Sequence, residues 1–125
     1  MGKGKEKMQG VAYLENSDFT DDGKLKISSD KTVMIYIFGS FCHFCSEMKP
    51  ELMKAIPQLK NKVNIATIQL DGDGDEKELG KRIGKFVPNF RGVPMIVFFK
   101  NGKYAATYEG PRKADDIVKY VYSKM

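Results

Sequence analysis

Apolar residues fall along the chain in two alternating patterns. Val33-Met34-Ile35-Tyr36-Ile37-Phe38 is a nearly continuous run bounded by Lys31 and Gly39. Its length and its β-branched and aromatic content predict a buried central strand. Residues 63–70 and 95–99 are runs of the same kind. Between the runs the spacing lengthens. Phe44, Met48, Leu52, Ile56 and Leu59 recur at near-helical intervals, with Glu47, Lys49, Glu51 and Lys54 interleaved, which predicts an amphipathic helix. Pro50 lies inside that helix and should kink it, because it removes a backbone donor. Leu79, Ile83 and Phe86 predict a second helix that stops at Val87-Pro88-Asn89. Ala114, Ile117, Val118 and Val121 predict a third, with Asp115 and Asp116 in its first turn, where the helix dipole favours acid.

Turn-forming residues divide the rest. Asn101-Gly102 is the strongest short hairpin signal available; it joins residues 95–99 to a return strand over 104–108, which Gly110-Pro111 ends. Residues 11–14 are a short strand candidate, followed by the turn or capping types Asn16-Ser17-Asp18. Residues 21–31 are polar without a clear period, and residues 1–10 read as a disordered basic tail. The order is β, a candidate helix, β, α, β, α, β-hairpin, α, with no internal repeat. Strands separated by helices imply parallel pairing, and the hairpin adds an antiparallel edge. The expectation is an α/β fold: a central mixed β-sheet flanked by helices on both faces, in one domain over residues 11–125.

Composition narrows the function classes. At 125 residues there is room for one core. The 42% hydrophobic and 30% charged content is that of a soluble globular domain. No apolar run approaches the roughly 20 residues that cross a bilayer. The lysine-rich start is not followed by the apolar segment of a secretory signal, and Glu6 stands where a myristoylation signal after Gly2 wants Ser or Thr. The chain ends Tyr122-Ser123-Lys124-Met125, which is not a retention tail. These features lead us to expect a cytoplasmic protein with no membrane partner; the endoplasmic reticulum is the alternative if a longer precursor supplies a leader. The net charge is +5, but outside the first residues the positive charges are scattered among acids with no basic stripe, so no nucleic-acid partner is expected.

The two cysteines, Cys42 and Cys45, are three apart. A bridge closing so short a loop adds little through chain entropy, so reactivity explains the pair better than stapling. Cys42 falls where a strand gives way to a helix. The unsatisfied N–H groups and dipole there stabilise a thiolate, so Cys42 is expected to ionise more readily than a free cysteine and to be the nucleophile. Cys45, a turn further in, would be more buried and would resolve the mixed disulfide. His43, the chain's one histidine, flanks the nucleophile; protonated, it would add positive charge there, and otherwise it is an exposed loop side chain. A zinc site needs four ligands, and two cysteines with one adjacent histidine do not supply them, so no metal or other cofactor is expected. The run Asp71-Gly72-Asp73-Gly74-Asp75 has the look of a calcium loop, but Arg82 stands where the bidentate Glu belongs. It is read as a turn and an acidic helix start.

These residues together resemble the thioredoxin superfamily, and more particularly a catalytic domain of protein disulfide isomerase, over about residues 11–123. The resemblance is carried by the run from Tyr36 to Cys45 followed by Pro50, by Gly92-Val93-Pro94 before a strand, and by the segment Tyr108-Glu109-Gly110-Pro111-Arg112-Lys113-Ala114-Asp115-Asp116-Ile117-Val118. It implies a thioredoxin-like fold, Cys42 as exposed nucleophile and Cys45 as resolving cysteine. It also implies that Pro94 is a cis-proline lying against the disulfide, with Val93 offering its backbone to an extended substrate. Arg112 matches the arginine that can approach the site and tune the buried cysteine, or else simply begins a surface helix. Phe41, Phe44, Val93 and Pro94 form an apolar surround suited to extended polypeptide. The departures are His43-Phe44 between the cysteines, Phe41 in place of Trp, and Tyr36 six residues before Cys42, where the family keeps a buried Asp or Glu. A tyrosine is a poor base, which leaves deprotonation of Cys45 to water, Arg112 or His43 and predicts slow resolution. The expected partners are protein thiols and disulfides of client polypeptides, with glutathione or a reductase for recycling, and a monomeric state. A thioredoxin- or glutaredoxin-like reductant and a redox-silent binding module remain the alternative readings.

Overall fold

The computed structural model describes residues 11–26, 32–72 and 74–125. The predicted tail over 1–10 and part of the unassigned polar stretch lie outside them. The chain order is β1 (Ala12–Tyr13), a 3-10 turn (Asn16–Asp18), β2 (Val33–Phe38), α1 (His43–Leu59), β3 (Asn64–Gln69), α2 (Gly74–Phe86), β4 (Met95–Lys100), β5 (Lys103–Tyr108) and α3 (Ala114–Lys124). Five strands form one mixed sheet in the order β1-β3-β2-β4-β5.

The two faces follow from the period-two alternation of a strand. In β2, Met34, Tyr36 and Phe38 point to one face, where they pack with Met48, Leu52, Ile56 and Leu59 of α1 and with Ile117 and Val121 of α3. Val33, Ile35 and Ile37 point to the other and meet Leu79 and Ile83 of α2. Every residue of β2 is buried, which is why its sequence is a continuous apolar run rather than an alternating one. Helices therefore cover both faces, and the fold is thioredoxin-like.

The pairing differs from the expectation at one strand. β2 runs parallel to β3, and β1 also pairs parallel with β3. β4, although it follows a helix, is antiparallel to β2, with Met95 opposite Ile37 and Phe99 opposite Val33. The reason lies in residues 87–94, which separate α2 from β4. They carry the chain back to the end of the sheet where β2 finishes, through left-handed backbone at Asn89 (φ 59°) and Gly92 (φ 136°). A Cβ at position 92 would meet no atom within 4 Å, so conformation rather than space calls for glycine there. The reversal brings Pro94 to the cysteine end of the sheet. The Asn101-Gly102 turn then has both residues at positive φ, 54° and 82°, as the type I′ hairpin requires.

Candidate active site

β2 ends at Phe38 and α1 begins at His43; residues 39–42 form the link. The Cys42 N–H donates to the Gly39 carbonyl at 3.2 Å, closing a tight turn. The Ser40 N–H donates to Asp71 Oδ1 at 3.0 Å, and the Ser40 hydroxyl donates to the other oxygen of the same carboxylate. Asp71 also accepts from Gln69 Nε2 at 3.1 Å. The acidic run after β3 thus holds the loop that presents the cysteines. The sequence signal for this was present in the carboxylate just past a buried strand, but nothing in the spacing told which loop it would meet.

Cys42 is the N-cap of α1, and its Sγ accepts the Cys45 N–H at 3.1 Å. A sulfur there faces backbone donors that the helix cannot itself satisfy. Cys42 is half-buried and Cys45 is buried at 3% exposure, both as free thiols. Burial pushes the Cys45 thiol up to about 12, Cys42 adds to the rise, and the Gly39 backbone and the Tyr36 hydroxyl pull the other way. Tyr36 also donates to the Cys45 carbonyl oxygen at 3.2 Å. The two cysteines are therefore chemically unequal: one accessible, the other kept protonated by its surroundings.

Pro94 follows a cis Val93–Pro94 bond, and the Val93 carbonyl oxygen lies 3.7 Å from Cys42 Sγ. Among the described residues the exposed large hydrophobics are Phe41 at 65%, Phe44 at 58%, Met53 and Tyr122. The two most exposed of the four, Phe41 and Phe44, bracket Cys42 in the chain. The His43 side chain is 80% exposed, with Nε2 3.5 Å from Glu47 Oε1 one turn on. The Arg112 guanidinium sits over the Phe44 ring, 5.6 Å from its centre. That pair lines a groove of about 450 Å³, between the first turns of α1 and the segment leading into α3, together with Glu47, Glu51, Pro111 and Lys113. Glu51 Oε1 accepts the Ala114 N–H at 3.0 Å, joining α1 to the start of α3. Neither the Glu51 cap nor the Ser40–Asp71 tie was read from the sequence, because both pair residues far apart in the chain.

A mixed sheet with a dithiol at the start of its first long helix, faced by a cis-proline, defines a domain of the thiol–disulfide exchange class. The thioredoxin family model matches residues 10–123, and the chain belongs to that family of thiol–disulfide oxidoreductases. It is 38% identical over 127 residues to the putative thioredoxin-like protein 453L of Invertebrate iridescent virus 6, covering 89% of this chain and 91% of that protein. It is 29% identical over 118 residues to the protein disulfide-isomerase of Oryctolagus cuniculus and 32% over 113 residues to the Drosophila melanogaster protein disulfide-isomerase A6 homolog. These matches cover 93% and 86% of this chain, but it spans only 21% and 24% of those proteins. Among solved structures, the J-Trx1 fragment of ERdj5 superposes with a TM-score of 0.69 at 19% identity, over 91% of this chain and 51% of that one, which speaks for the fold.

Proposed function

We propose that the chain exchanges disulfides with cysteines of client polypeptides, in the manner of a protein disulfide isomerase domain, with Cys42 attacking and Cys45 resolving. The observation that carries this reading is the inequality of the two sulfurs. Cys42 Sγ takes the Cys45 N–H at the helix start amid exposed aromatic surface, and Cys45 lies buried beneath it. In the first half-reaction the Cys42 thiolate attacks one sulfur of a client disulfide. A new S–S bond forms, the client bond breaks, and the second client sulfur leaves as a thiolate. In the second, deprotonated Cys45 attacks Cys42 Sγ, forming the internal disulfide and releasing the client thiol. Run backwards, the same two steps oxidise a client.

Phe41 and Phe44 supply apolar contact for an extended chain, and the groups around Val93 and Pro94 lie where such a chain would run past the sulfur. The Arg112–Phe44 pair borders this surface, and Arg112 acts there on client binding before it acts on any thiol. His43, turned toward Glu47, serves the solvent side of the same rim. Glutathione or a reductase would restore the pair to its starting state.

The test is capture of clients on Cys45→Ala. Without the resolving sulfur, mixed disulfides at Cys42 should persist and be recovered by non-reducing electrophoresis and mass spectrometry. Recovering none, while Cys42 still reacts with iodoacetamide, would sink the exchange reading and favour a binding module.

A further inference from the structure

The groove beside Phe44 has walls of opposite sign. Glu47 and Glu51 stand on the α1 side, Arg112 and Lys113 on the α3 side, and Phe44, Met48 and Pro111 give it apolar surface. The acids are already engaged. Glu51 accepts the Ala114 N–H at 3.0 Å and lies 3.4 Å from Lys54 Nζ, and Lys113 also helps to hold its carboxyl down. Glu47 Oε1 lies 3.5 Å from His43 Nε2. Arg112 is different. It is exposed, and among the described residues its guanidinium contacts the Phe44 ring but makes no ion pair and no hydrogen bond. Contact with a ring spends none of the N–H donors of an arginine, which form a fork matched to a carboxylate. Asp115 and Asp116, although close in sequence, do not line the groove. The groove thus holds an unspent cation against the aromatic residue that follows Cys42 by two positions.

We propose that this groove takes an acidic residue of the client, flanking the client cysteine, and that Arg112 is the residue that selects it. The inference deepens the exchange reaction proposed above and rests on it. Cys42 fixes one point of the client, because the sulfur under attack must reach Sγ. From there an extended chain advances about 3.3 Å per residue. Phe44 lies two residues from Cys42, and the Arg112 guanidinium carbon is 5.6 Å from the centre of its ring. A carboxylate about two to four residues from the client cysteine therefore comes level with Arg112, while the chain between them crosses Phe44. A lysine at the same place would meet Arg112 and Lys113, and Glu51 is spent on Ala114 and Lys54. An exposed pair is worth little by itself, so the groove supplies a preference among clients rather than affinity. That preference acts at encounter and attack, before Cys45 takes part.

The test uses model peptides whose single cysteine is joined to thionitrobenzoate, with Glu, Gln or Lys about two to four residues away on either side. The Cys42 thiolate of the full reduced chain attacks the peptide sulfur, because thionitrobenzoate has the lower thiol pKa and leaves. The protein–peptide S–S bond forms, the peptide's bond to thionitrobenzoate breaks, and the departing thiolate carries the electron pair and is read by its absorbance. At low salt the Glu peptide is expected to react about fivefold faster than the Lys peptide on one of the two sides, with Gln between. The ratio should shrink as salt screens the pair. Arg112→Glu should invert it, and Arg112→Gln should bring the two rates close together. Comparing peptides within each variant cancels any change in the thiol itself. Lys119→Glu, at an exposed site on α3 outside the groove, alters net charge as Arg112→Glu does and should keep the wild-type ratio. It separates local pairing from attraction by the whole basic chain. Equal wild-type rates overturn the proposal, as does a ratio that Lys119→Glu inverts or that Arg112→Glu leaves in place. A wild-type chain that releases thionitrobenzoate from no peptide overturns the exchange reading as well. One that attacks all the peptides alike overturns only the acidic preference.

Discussion

Tyr36 stands in the sheet directly beneath the resolving cysteine, its ring stacked 5.2 Å from that of Phe38 and its hydroxyl on the Cys45 carbonyl. A phenol in this place cannot take a proton at neutral pH, but it can donate a hydrogen bond, and donation to a sulfur favours the thiolate. Tyr36→Phe should therefore slow resolution of a mixed disulfide by several-fold, and Tyr36→Glu should speed it by supplying a base; single-turnover kinetics on both variants check the pair of signs. Cys45 itself links reactivity to stability. Its thiol is raised from 9.0 to about 12 in the folded protein, so between those values the unfolded chain releases a proton that the folded chain keeps. Stability from this group is complete below about pH 9 and lost as pH rises toward 12, by up to about 1.4 kcal/mol per pH unit. Urea unfolding of the reduced protein at pH 8 and pH 10, set against Cys45→Ala, should show the wild type losing more over the interval.

Among the elements, α1 does the most: it caps itself with Cys42, buries Leu52 completely and reaches α3 through Glu51. Leu52→Ala should cost about 2–5 kcal/mol, read as a lowered urea midpoint. The Glu51 carboxyl is held below the usual range, chiefly by the Ala114 N–H and then by Lys54. A depressed carboxyl contributes stability above its unfolded value and loses it as pH falls through its folded one. Glu51→Gln should thus melt below the wild type at pH 7, with the gap closing at pH 3 in thermal melts followed by circular dichroism. The helices and strands themselves were legible in the sequence, since α1 carries a helical period and β2 is a continuous apolar run of strand length, buried on both faces. The direction of β4 was not. Apolar pattern says that residues 95–99 are extended, but direction is set by residues 87–94, whose polar and turn types carry no period to read. Contacts such as Ser40 with Asp71 and Glu51 with Ala114 were hidden for the same reason: they are long-range, and each uses a residue that looks like ordinary surface.

At the scale of the whole molecule, the proposed exchange surface draws on three separated stretches: the loop before α1, the turn before β4 and the segment before α3. The cysteines could be picked out from their spacing alone, and Pro94 from a resemblance. The exposure of His43 and the seating of Arg112 on Phe44 depend on side-chain packing and could not. An isomerase-like role predicts a reduction potential near ~−180 mV, whereas ~−270 mV would mark a reductant; equilibration with glutathione buffers measures it.

The burial of Cys45 has one more consequence, for how that potential can be obtained. In the unfolded chain Cys42 and Cys45 are an ordinary flexible dithiol; the helix-start donor, the Val93 carbonyl and the buried resolving sulfur exist only after folding. Oxidation and folding therefore form a closed thermodynamic cycle. Whatever shifts the potential of the folded pair from that of the unfolded pair must appear, in equal measure, as a difference in stability between the oxidised and reduced protein, about 1.4 kcal/mol for each 30 mV. Two denaturation curves, one for each redox state, then weigh the electrons without a redox buffer. A domain whose disulfide form is the less stable of the two is built to give its disulfide away.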